Sequence, residues 1–500
     1  MNIVWFKRDL RLQDHEPLLN AAHLGKTLPL YIIEPELWKQ PDISQRHWCF
    51  IHDSLRELDE SLSSYGGRLI VRIGSALSIF EDLRQKLGNF SLWSHEETGN
   101  AWTFRRDIAI AKWCRENGII WHEFPSNGVV RRLKNRDDWS QLRNERMQHA
   151  IILPPTKISF YPGIISDSIP SKDHPIFGNN SEGRTQIGGR SEGLITLQSF
   201  LEERARKYML TISKPGVSAR HCSRLSAHIA YGTLSVREIE QATKEKIRTL
   251  QGIKDDDARH LICNLSAFLS RLAWRCHFVQ KLEQQPEIET QCMHPAFEGM
   301  RESHFREDYF EAWKNGKTGY PLIDACMRSL IQNGWITFRM RAMLVSFASY
   351  HLWLDWRQTA PYMAQLFTDY EPGIHYSQFQ MQSGVTGINV IRIYNPIKQS
   401  LDHDPEGKFI LRYVPELKDV PKSFIHEPWR FQNIDAHYPA PIVDHKEAIR
   451  HAREQISERR KMAGFKESAK ATHKKLGSRQ SPIKKFKASV KNKEQMTFDF

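Results

Sequence analysis

The period of hydrophobic and polar positions changes once along the chain. Over the first 125 residues, short apolar runs alternate with amphipathic helical patterns. The runs cover 2–6, 28–34, 68–74, 90–95 and 119–124, and the helical patterns cover 47–65, 75–87 and 101–117. Strands and helices in this order predict a parallel α/β sheet. No GxGxxG follows the first run, so a standard dinucleotide-binding turn is not supported there.

Beyond residue 195 the strand pattern is replaced by helical periodicity, which continues to about residue 370. The stretch before it is rich in Gly, Pro, Ser and Asn, as connecting segments are. The predicted fold is therefore an α/β parallel-sheet (Rossmann-like) domain followed by an all-α domain. The predicted boundaries are 1–128 for the α/β domain, 129–195 for the linker, 196–445 for the helical domain and 446–500 for a basic, flexible tail.

The net charge of +13, with a pI of about 9.3, favours a polyanionic partner. A merely basic soluble protein is the alternative. Residues 461–500 contain eleven lysines and arginines against three acidic residues, a net charge of +8. A DNA-binding face elsewhere must therefore be argued from individual residues.

The seven cysteines contain no CxxC pair. An odd number of cysteines without such a pair predicts reduced thiols in a cytoplasmic protein, with neither a disulfide framework nor a metal cluster. No apolar run approaches the length of a membrane span, and lysine enters the sequence too early for a signal peptide. We therefore expect a cytoplasmic monomer without membrane contact.

One helical pattern carries candidate binding chemistry. In "FLSRLAWRCHF" (268–278), Arg271, Trp274, Arg275 and Phe278 fall at i, i+3, i+4 and i+7, on one helix face. Two guanidinium groups and two aromatic rings suit a flat anionic ligand, because aromatics stack and arginines pair with phosphate. A helix–helix interface explains the same pattern.

Two further signals are weaker. Arg339 and Arg341 diverge from the core stripe of the helix at 337–353, as solvated surface arginines also would. Ser223 and Ser226 lie near a predicted helix start, where hydroxyl and backbone N–H groups can bind phosphate. Serine at such a place is more often only a helix cap.

Six segments, in order along the chain, resemble the DNA photolyase/cryptochrome family. They are "VWFKRDLRLQDHEPL" at the N-terminus, then "SRLSAHIAYGTLS", "AWKNGKTGYPLIDACMRSL", "GWITFRMR", "LWLDWRQ" and "RIYNPIKQS". The resemblance extends to about residue 450 and fits the α/β-then-helical layout. It identifies residues 1–128 as the family's light-harvesting (antenna) domain and 196–445 as its FAD-binding domain.

The resemblance implies FAD as a non-covalent cofactor. The positions that match its phosphate, ribitol and ring contacts are Tyr208, Cys222, Ser223, Arg224, Leu225, Ser226, Arg275, Arg341, Asp369, Tyr370 and Glu371. Arg341 and Asp369 match an ion pair beside the flavin ring, and such a guanidinium stabilises an anionic reduced flavin. A second, light-harvesting pigment in the first domain is left open, and the sequence does not define it.

The resemblance also implies damaged DNA as the partner. In the repair enzymes, light-excited reduced FAD gives an electron to a pyrimidine dimer that has been flipped out of the duplex. Trp274 matches one aromatic wall of the lesion pocket, Met381 replaces the second aromatic wall, and Arg339 matches a contact to the damaged strand. Arg271 stands where many dimer-repair enzymes have glutamate, and Phe338 stands where they have asparagine. The lesion pocket is therefore divergent.

The electron-transfer positions diverge as well. His375 replaces the asparagine that usually faces the flavin, Phe379 replaces the first tryptophan of the family's electron-transfer chain, and Trp356 matches the middle one. Tyr370, Tyr376 and Trp353 remain as a detour. We expect light-driven repair of pyrimidine dimers, and the alternative is a cryptochrome-like blue-light receptor without repair activity. The damaged chain counts against the receptor more than against repair.

The last six residues, "QMTFDF", carry a separate signal. Gln495, Met496, Phe498 and Phe500 resemble the short peptide by which bacterial DNA-repair proteins bind the replication sliding clamp. An extended tail suits that interaction, and the basic residues before it can hold DNA electrostatically. Docking of these residues on the protein's own surface is the alternative.

Overall fold

The computed structural model describes residues 1–178, 183–431 and 438–478. Its N-terminal region is a five-stranded parallel sheet with the order β3-β2-β1-β4-β5. The strands are β1 (Asn2–Phe6), β2 (Thr27–Ile33), β3 (Ile70–Ile73), β4 (Ser91–His95) and β5 (Ile120–Phe124). The predicted fold class, an α/β parallel-sheet domain followed by helices, is confirmed.

The central strands form because they are apolar on both faces. Every residue of β1 and β2 is buried, which is the pattern of a parallel sheet covered by helices on two sides. The helices of this region are α1 (Glu16–Leu24), α2 (Pro35–Trp38), α3 (Gln45–Ser63), α4 (Ala76–Leu87) and α5 (Ala101–Glu116). Strand order reverses between β1 and β4, and such a reversal opens a crevice at the carboxyl ends of the strands.

The connecting segment is largely irregular but contains one helix that the sequence pattern did not predict, α6 (Trp139–Gln148). This helix has little amphipathic pattern, although it buries Trp139, Arg143 and Met147. Farther along, Phe160 pairs with Thr27 at the start of β2, which the short strand β3 leaves uncovered. The Asp167 amide donates to the Val71 carbonyl of β3. The segment therefore covers the outer edge of the sheet.

The rest of the described chain is helical. The first helices are α7 (Arg190–Glu202), α8 (Tyr208–Thr211), α9 (Pro215–His221), α10 (Ser226–Ala230), α11 (Val236–Gln251), α12 (Asp256–Gln284), α13 (Glu307–Lys314) and α14 (Pro321–Asn333). They are followed by α15 (Phe338–Ser346), a π-helical turn (Phe347–His351), α16 (Trp356–Leu366), α17 (Pro372–Ser383), α18 (Pro396–His403) and α19 (Lys408–Tyr413). The long helix α12 packs along α11 and α17 and is the central helix of this region.

The C-terminal region differs from the expectation of a flexible tail from residue 446. The structure shows α20 (His445–Arg460) and α21 (Phe465–Leu476), both packed on the helical region. Ala452, Ile456 and Leu476 are buried, and the Phe465 ring stacks on His294 at a centroid distance of 4.1 Å. The expectation was wrong for residues 446–476 because a few well-placed apolar side chains anchor helices whose other positions are mostly charged. Residues 479–500, including "QMTFDF", lie outside the described residues.

All seven cysteines fall in the described ranges, and each is a free thiol there. Within those ranges, no helix is long and apolar enough to cross a membrane.

Candidate functional site

A cavity of about 340 Å³ lies within the helical region, between α12, α15, α17 and the segment from Tyr208 to Ser226. It gathers side chains that are far apart in sequence. The predicted site residues on its wall are Tyr208, Cys222, Ser223, Arg224, Ser226, Arg271, Trp274, Arg275, Arg339, Arg341, Asp369, Tyr370, Glu371, His375 and Phe379.

Three predicted residues do not lie on this wall. Leu225 is fully buried in the neighbouring core, and Trp356 is buried on α16 behind the wall. Met381, proposed as a lesion-pocket wall, is also not among the lining residues, although it lies two turns after Ile374, which does line the cavity. The role of Met381 in the lesion pocket stays a prediction.

One face of α12 supplies a continuous strip of the wall. Arg271, Trp274, Arg275 and Phe278 all line the cavity, as their helical spacing requires. The Trp274 ring is half-buried and stacks against Phe278 with a centroid distance of 5.8 Å and an interplanar angle of 30°. The aromatic surface of this strip is therefore held in place by packing within the helix.

An ion pair lies deeper in the cavity. Arg341 Nη2 is 2.9 Å from Asp369 Oδ2, and the guanidinium lies over the Phe367 ring at 4.0 Å from its centroid. Burial alone would raise the pKa of Asp369, but the Arg341 charge, with hydrogen bonds from Arg341 and Ser226, brings it below its ordinary value. Asp369 is therefore a carboxylate that fixes the direction of the guanidinium.

A second ion pair lies at the start of α17. Arg275 Nη2 is 2.7 Å from Glu371 Oε2, and Arg8 Nη2 from the α/β region is 3.7 Å from the same oxygen. Arg8 also donates to the Tyr370 carbonyl at 2.8 Å. The α/β region therefore helps to position the acidic side of the cavity.

The segment before α10 brings cationic and hydroxyl groups to another part of the wall. Arg224 adopts φ = 59° and places its guanidinium 4.2 Å from the centroid of the Trp335 ring. Burial lowers the pKa of Arg224 to about 10, so the group remains a cation at neutral pH. Ser223 and Ser226 flank it, and burial raises the pKa of the Cys222 thiol to about 12. This part of the wall suits an anionic group.

His375 is held as a neutral imidazole. Its Nε2 donates to the Ala360 carbonyl at 2.8 Å, and burial lowers its pKa to about 3. With the proton on Nε2, Nδ1 carries a lone pair and can only accept a hydrogen bond. The Phe379 ring lies beside it at a centroid distance of 4.7 Å.

Two family matches cover most of the chain. Residues 2–137 match the family described as DNA photolyase, and residues 268–458 match the FAD binding domain of DNA photolyase. The chain belongs to the DNA photolyase/cryptochrome family. Members of this family act in light-driven DNA repair or as cryptochromes, and the matched domain supports FAD as the cofactor.

Individual family members are distant in sequence but similar over their whole length. A deoxyribodipyrimidine photo-lyase of Agrobacterium fabrum is 29% identical over 480 residues, covering 89% of this chain and 95% of the relative. Cryptochrome DASH of Gloeobacter violaceus is 27% identical over 490 residues, covering 88% and 93%. The crystal structure of an archaeal photolyase from Sulfolobus tokodaii with two FAD molecules has a TM-score of 0.76 and 29% identity, covering 92% of this chain and all of that one.

The family's cofactor fits the polar groups on the wall. Within the described ranges, Arg275 Nη1, Glu371 Oε1 and Gln378 Oε1 are buried without a hydrogen-bond partner. An unpaired buried polar group costs about 1–3 kcal/mol, so a cluster of them indicates a polar ligand. FAD combines phosphates, hydroxyl groups and a flat ring with donors and acceptors along its edge, which matches the cations, hydroxyls and aromatic surfaces of this cavity.

Sequence reasoning missed several residues of the site. Gln378 and Gln382 carried a usable signal, since two glutamines at i and i+4 on a largely buried helix are unusual. Trp335 and Phe367 lay outside the quoted helix faces. Arg8 contacts the Tyr370 carbonyl and Glu371 across a separation of more than 360 residues, and no local pattern could have shown that.

Proposed function

We propose that the protein is an FAD-dependent, light-driven DNA-repair enzyme of the photolyase type that acts on pyrimidine dimers. One observation carries the proposal. The same cavity joins two ion pairs with buried carboxylates, Arg341–Asp369 and Arg275–Glu371, to a half-buried aromatic and cationic strip formed by Trp274 and its neighbours. The first part suits a flavin and the second suits a flipped-out lesion.

The residues that would hold FAD divide into two groups. Arg224, Ser223 and Ser226 would bind its anionic phosphates, with Tyr208, Cys222 and Leu225 beside them. Arg275, Arg341, Asp369, Tyr370 and Glu371 would surround its ring. When bound in its reduced form, FAD supplies a light-excitable electron donor.

The chain's own groups set the charge around the ring. Asp369 is ionised and directs Arg341, whose positive charge stabilises an anion in the cavity. His375 offers a lone pair at Nδ1 where the family usually has an amide, which can both donate and accept. At this position the protein therefore favours a ligand atom that can donate a hydrogen bond to His375 Nδ1.

The outer strip would bind the lesion. Trp274 offers a stacking surface for a flipped base, and Arg339, anchored by its Nε bond to Ser213 Oγ at 2.9 Å, suits a phosphate of the damaged strand. Arg271 replaces the family's glutamate, so this position donates hydrogen bonds and cannot accept them. We therefore expect contacts to the carbonyl oxygens of the pyrimidines and not to their N–H groups.

A second pigment remains a separate proposal. The crevice at the carboxyl ends of β1 and β2 is lined by Trp5, Tyr31, Trp38 and Arg106, and this is where α/β topology places ligands. The archaeal photolyase structure has two FAD molecules, and its description infers a light-harvesting cofactor.

One experiment distinguishes light-driven DNA repair from a blue-light receptor without repair activity. The chemically reduced, FAD-loaded protein is mixed with dimer-containing DNA and illuminated. The DNA is supplied in single-stranded and duplex form, and loss of dimers is measured by chromatography of the digested DNA. We expect loss in the light with multiple turnovers and none in the dark. Trp274→Ala is the matched variant, with its flavin content measured first. A flavin-loaded protein that binds dimer DNA but restores no bases in either form would favour the cryptochrome-like receptor.

A further inference from the structure

A buried hydrogen-bonded cluster adjoins the cavity where the helical and α/β regions meet. Asp42, between α2 and α3, accepts hydrogen bonds at Oδ2 from the hydroxyls of Tyr370 and Tyr376, the second at 3.5 Å. Asn100 donates from Nδ2 to both carboxylate oxygens of Asp42, at 3.2 and 3.1 Å. All four side chains are buried. Two phenols therefore share one carboxylate away from bulk water.

Tyr370 connects this cluster to the cavity. The residue forms part of the cavity wall, while its hydroxyl reaches across to Asp42 in the α/β region. The His47 ring stacks on Tyr370 at 5.6 Å and 19°, and the Arg8 guanidinium holds the Tyr370 carbonyl at 2.8 Å. The phenol is therefore fixed in orientation before any electron moves.

The aromatic rings continue inward from Tyr370. His375 lies 5.3 Å from Tyr370 and 5.5 Å from Tyr376, and Tyr376 lies 6.5 Å from Trp356, all measured between ring centroids. Phe379, where the family has its first tryptophan, is a poor electron donor. The tyrosines thus stand between the cavity and the retained Trp356.

A proton acceptor within reach favours the tyrosines as the site of oxidation. A tyrosine that passes its proton to a carboxylate becomes a neutral radical, and no new cation is created in the protein interior. A base within hydrogen-bond reach is the geometric requirement for that transfer.

We propose that Tyr370 and Tyr376, with Asp42 as the shared proton acceptor, form a proton-coupled electron donor to the light-excited oxidised flavin. This proposal rests on FAD binding in the cavity. One electron leaves the phenol of Tyr370 for the flavin, the phenolic O–H bond breaks, and the proton moves to Asp42 Oδ2. The products in the protein are a neutral phenoxyl radical and a neutral carboxylic acid. The Tyr376 hydroxyl is hydrogen-bonded to the same carboxylate, so Tyr376 can likewise give an electron to the flavin and its proton to Asp42.

The test uses the full chain with FAD bound and oxidised, without DNA. A laser flash is followed by transient absorption, and electron paramagnetic resonance identifies the radical trapped in the cold. We expect a neutral tyrosyl radical, formed more slowly in D₂O than in H₂O because the proton moves with the electron. Asp42→Asn keeps the shape but removes the acceptor. It should lower the rate of radical formation by about 10²-fold, the lower end of a general-base contribution.

The controls separate chemistry from folding. Tyr438→Phe removes another buried phenol that donates to a carboxylate, Asp324, at 2.6 Å, and neither residue lines the cavity. It should leave the radical and the isotope effect unchanged. Because Asp42→Asn could destabilise the fold, the Tyr370→Phe, Tyr376→Phe double variant provides a second test and should abolish the tyrosyl signal.

The outcomes distinguish this proposal from the proposed function. A wild-type protein that binds FAD and gives only a tryptophan radical would overturn the tyrosine donor, and FAD-dependent repair would stand. The tyrosine donor would also be overturned by an unchanged rate and isotope effect in flavin-loaded Asp42→Asn, or by a tyrosyl radical that survives in the double variant. A folded protein that binds no FAD would instead overturn the proposed function.

Discussion

Replacing Trp274 tests the lesion-binding strip of the cavity. The Trp274 ring is half-buried and rests on Phe278, so Trp274→Ala removes a stacking surface without uncovering a deep core position. One indole can stack with one base of a flipped dinucleotide. Stacking of this kind is worth about 1–3 kcal/mol per base, which is about a 5- to 160-fold change in affinity. We expect this loss for dimer-containing DNA and little change for undamaged DNA.

Arg339→Ala is the matched control for charge. Arg339 is half-buried, and its Nε is held by Ser213 Oγ, so the substitution removes a cation from the rim of the same cavity. A phosphate contact carries no information about the base, so damaged and undamaged DNA should weaken by a similar factor. The dependence of affinity on salt should also become shallower, by about one unit of the logarithmic slope.

The assay is a fluorescence anisotropy titration of labelled oligonucleotides with and without a dimer, at two salt concentrations, using flavin-loaded protein. The decisive quantity is the ratio of the two affinities. Trp274→Ala should reduce this ratio, Trp274→Phe should restore part of it, and Arg339→Ala should leave it unchanged. If Trp274→Ala leaves the preference for damaged DNA intact, the lesion does not stack on α12 and the pocket has been placed wrongly.

Three further predictions concern other parts of the chain. Burial lowers the pKa of His351 to about 3, and its ring nitrogens have no hydrogen-bond partner among the described residues. Below about pH 6.5 the unfolded chain therefore takes up a proton at this residue that the folded protein does not, and the folded state loses stability as the pH decreases. His351→Phe should therefore lessen the fall in unfolding free energy between pH 7 and pH 5 by about 2 kcal/mol in urea titrations, and an unchanged fall would contradict the assignment. Phe379→Trp should speed photoreduction of the oxidised flavin under steady blue light and add a tryptophan radical, whereas an unchanged rate would show that position 379 is off the electron path. A peptide covering 488–500 should bind the host's sliding clamp in an anisotropy titration, and binding that survives alanine at Gln495, Phe498 and Phe500 would exclude the motif.

The strands and the α12 strip were predictable because they depend on local sequence. Each predicted strand lies within two residues of the observed one, since buried parallel strands are continuous apolar runs. The spacing of Arg271, Trp274, Arg275 and Phe278 predicted a shared face, and all four line one cavity. Periodicity is a property of neighbours in sequence, so it carries this information without knowledge of the tertiary structure.

The junction between the regions was not predictable in this way. Asp42 and Tyr370 are separated by 328 residues, and neither stands out in a segment of its own. The helices α20 and α21 were missed because their few buried residues are scattered among charges, and packing against the rest of the protein decides their fate.

Flavin content tests the central claim most directly. The purified protein should be yellow and should release FAD on denaturation, near one molecule per chain. Arg341→Ala removes the cation of the Arg341–Asp369 pair and should lose flavin affinity while the far-ultraviolet circular dichroism stays unchanged. Arg412→Ala, at a surface arginine whose guanidinium lies over the Tyr413 ring outside the cavity, should retain the cofactor. A well-folded, colourless protein that cannot be reconstituted with FAD would contradict the account.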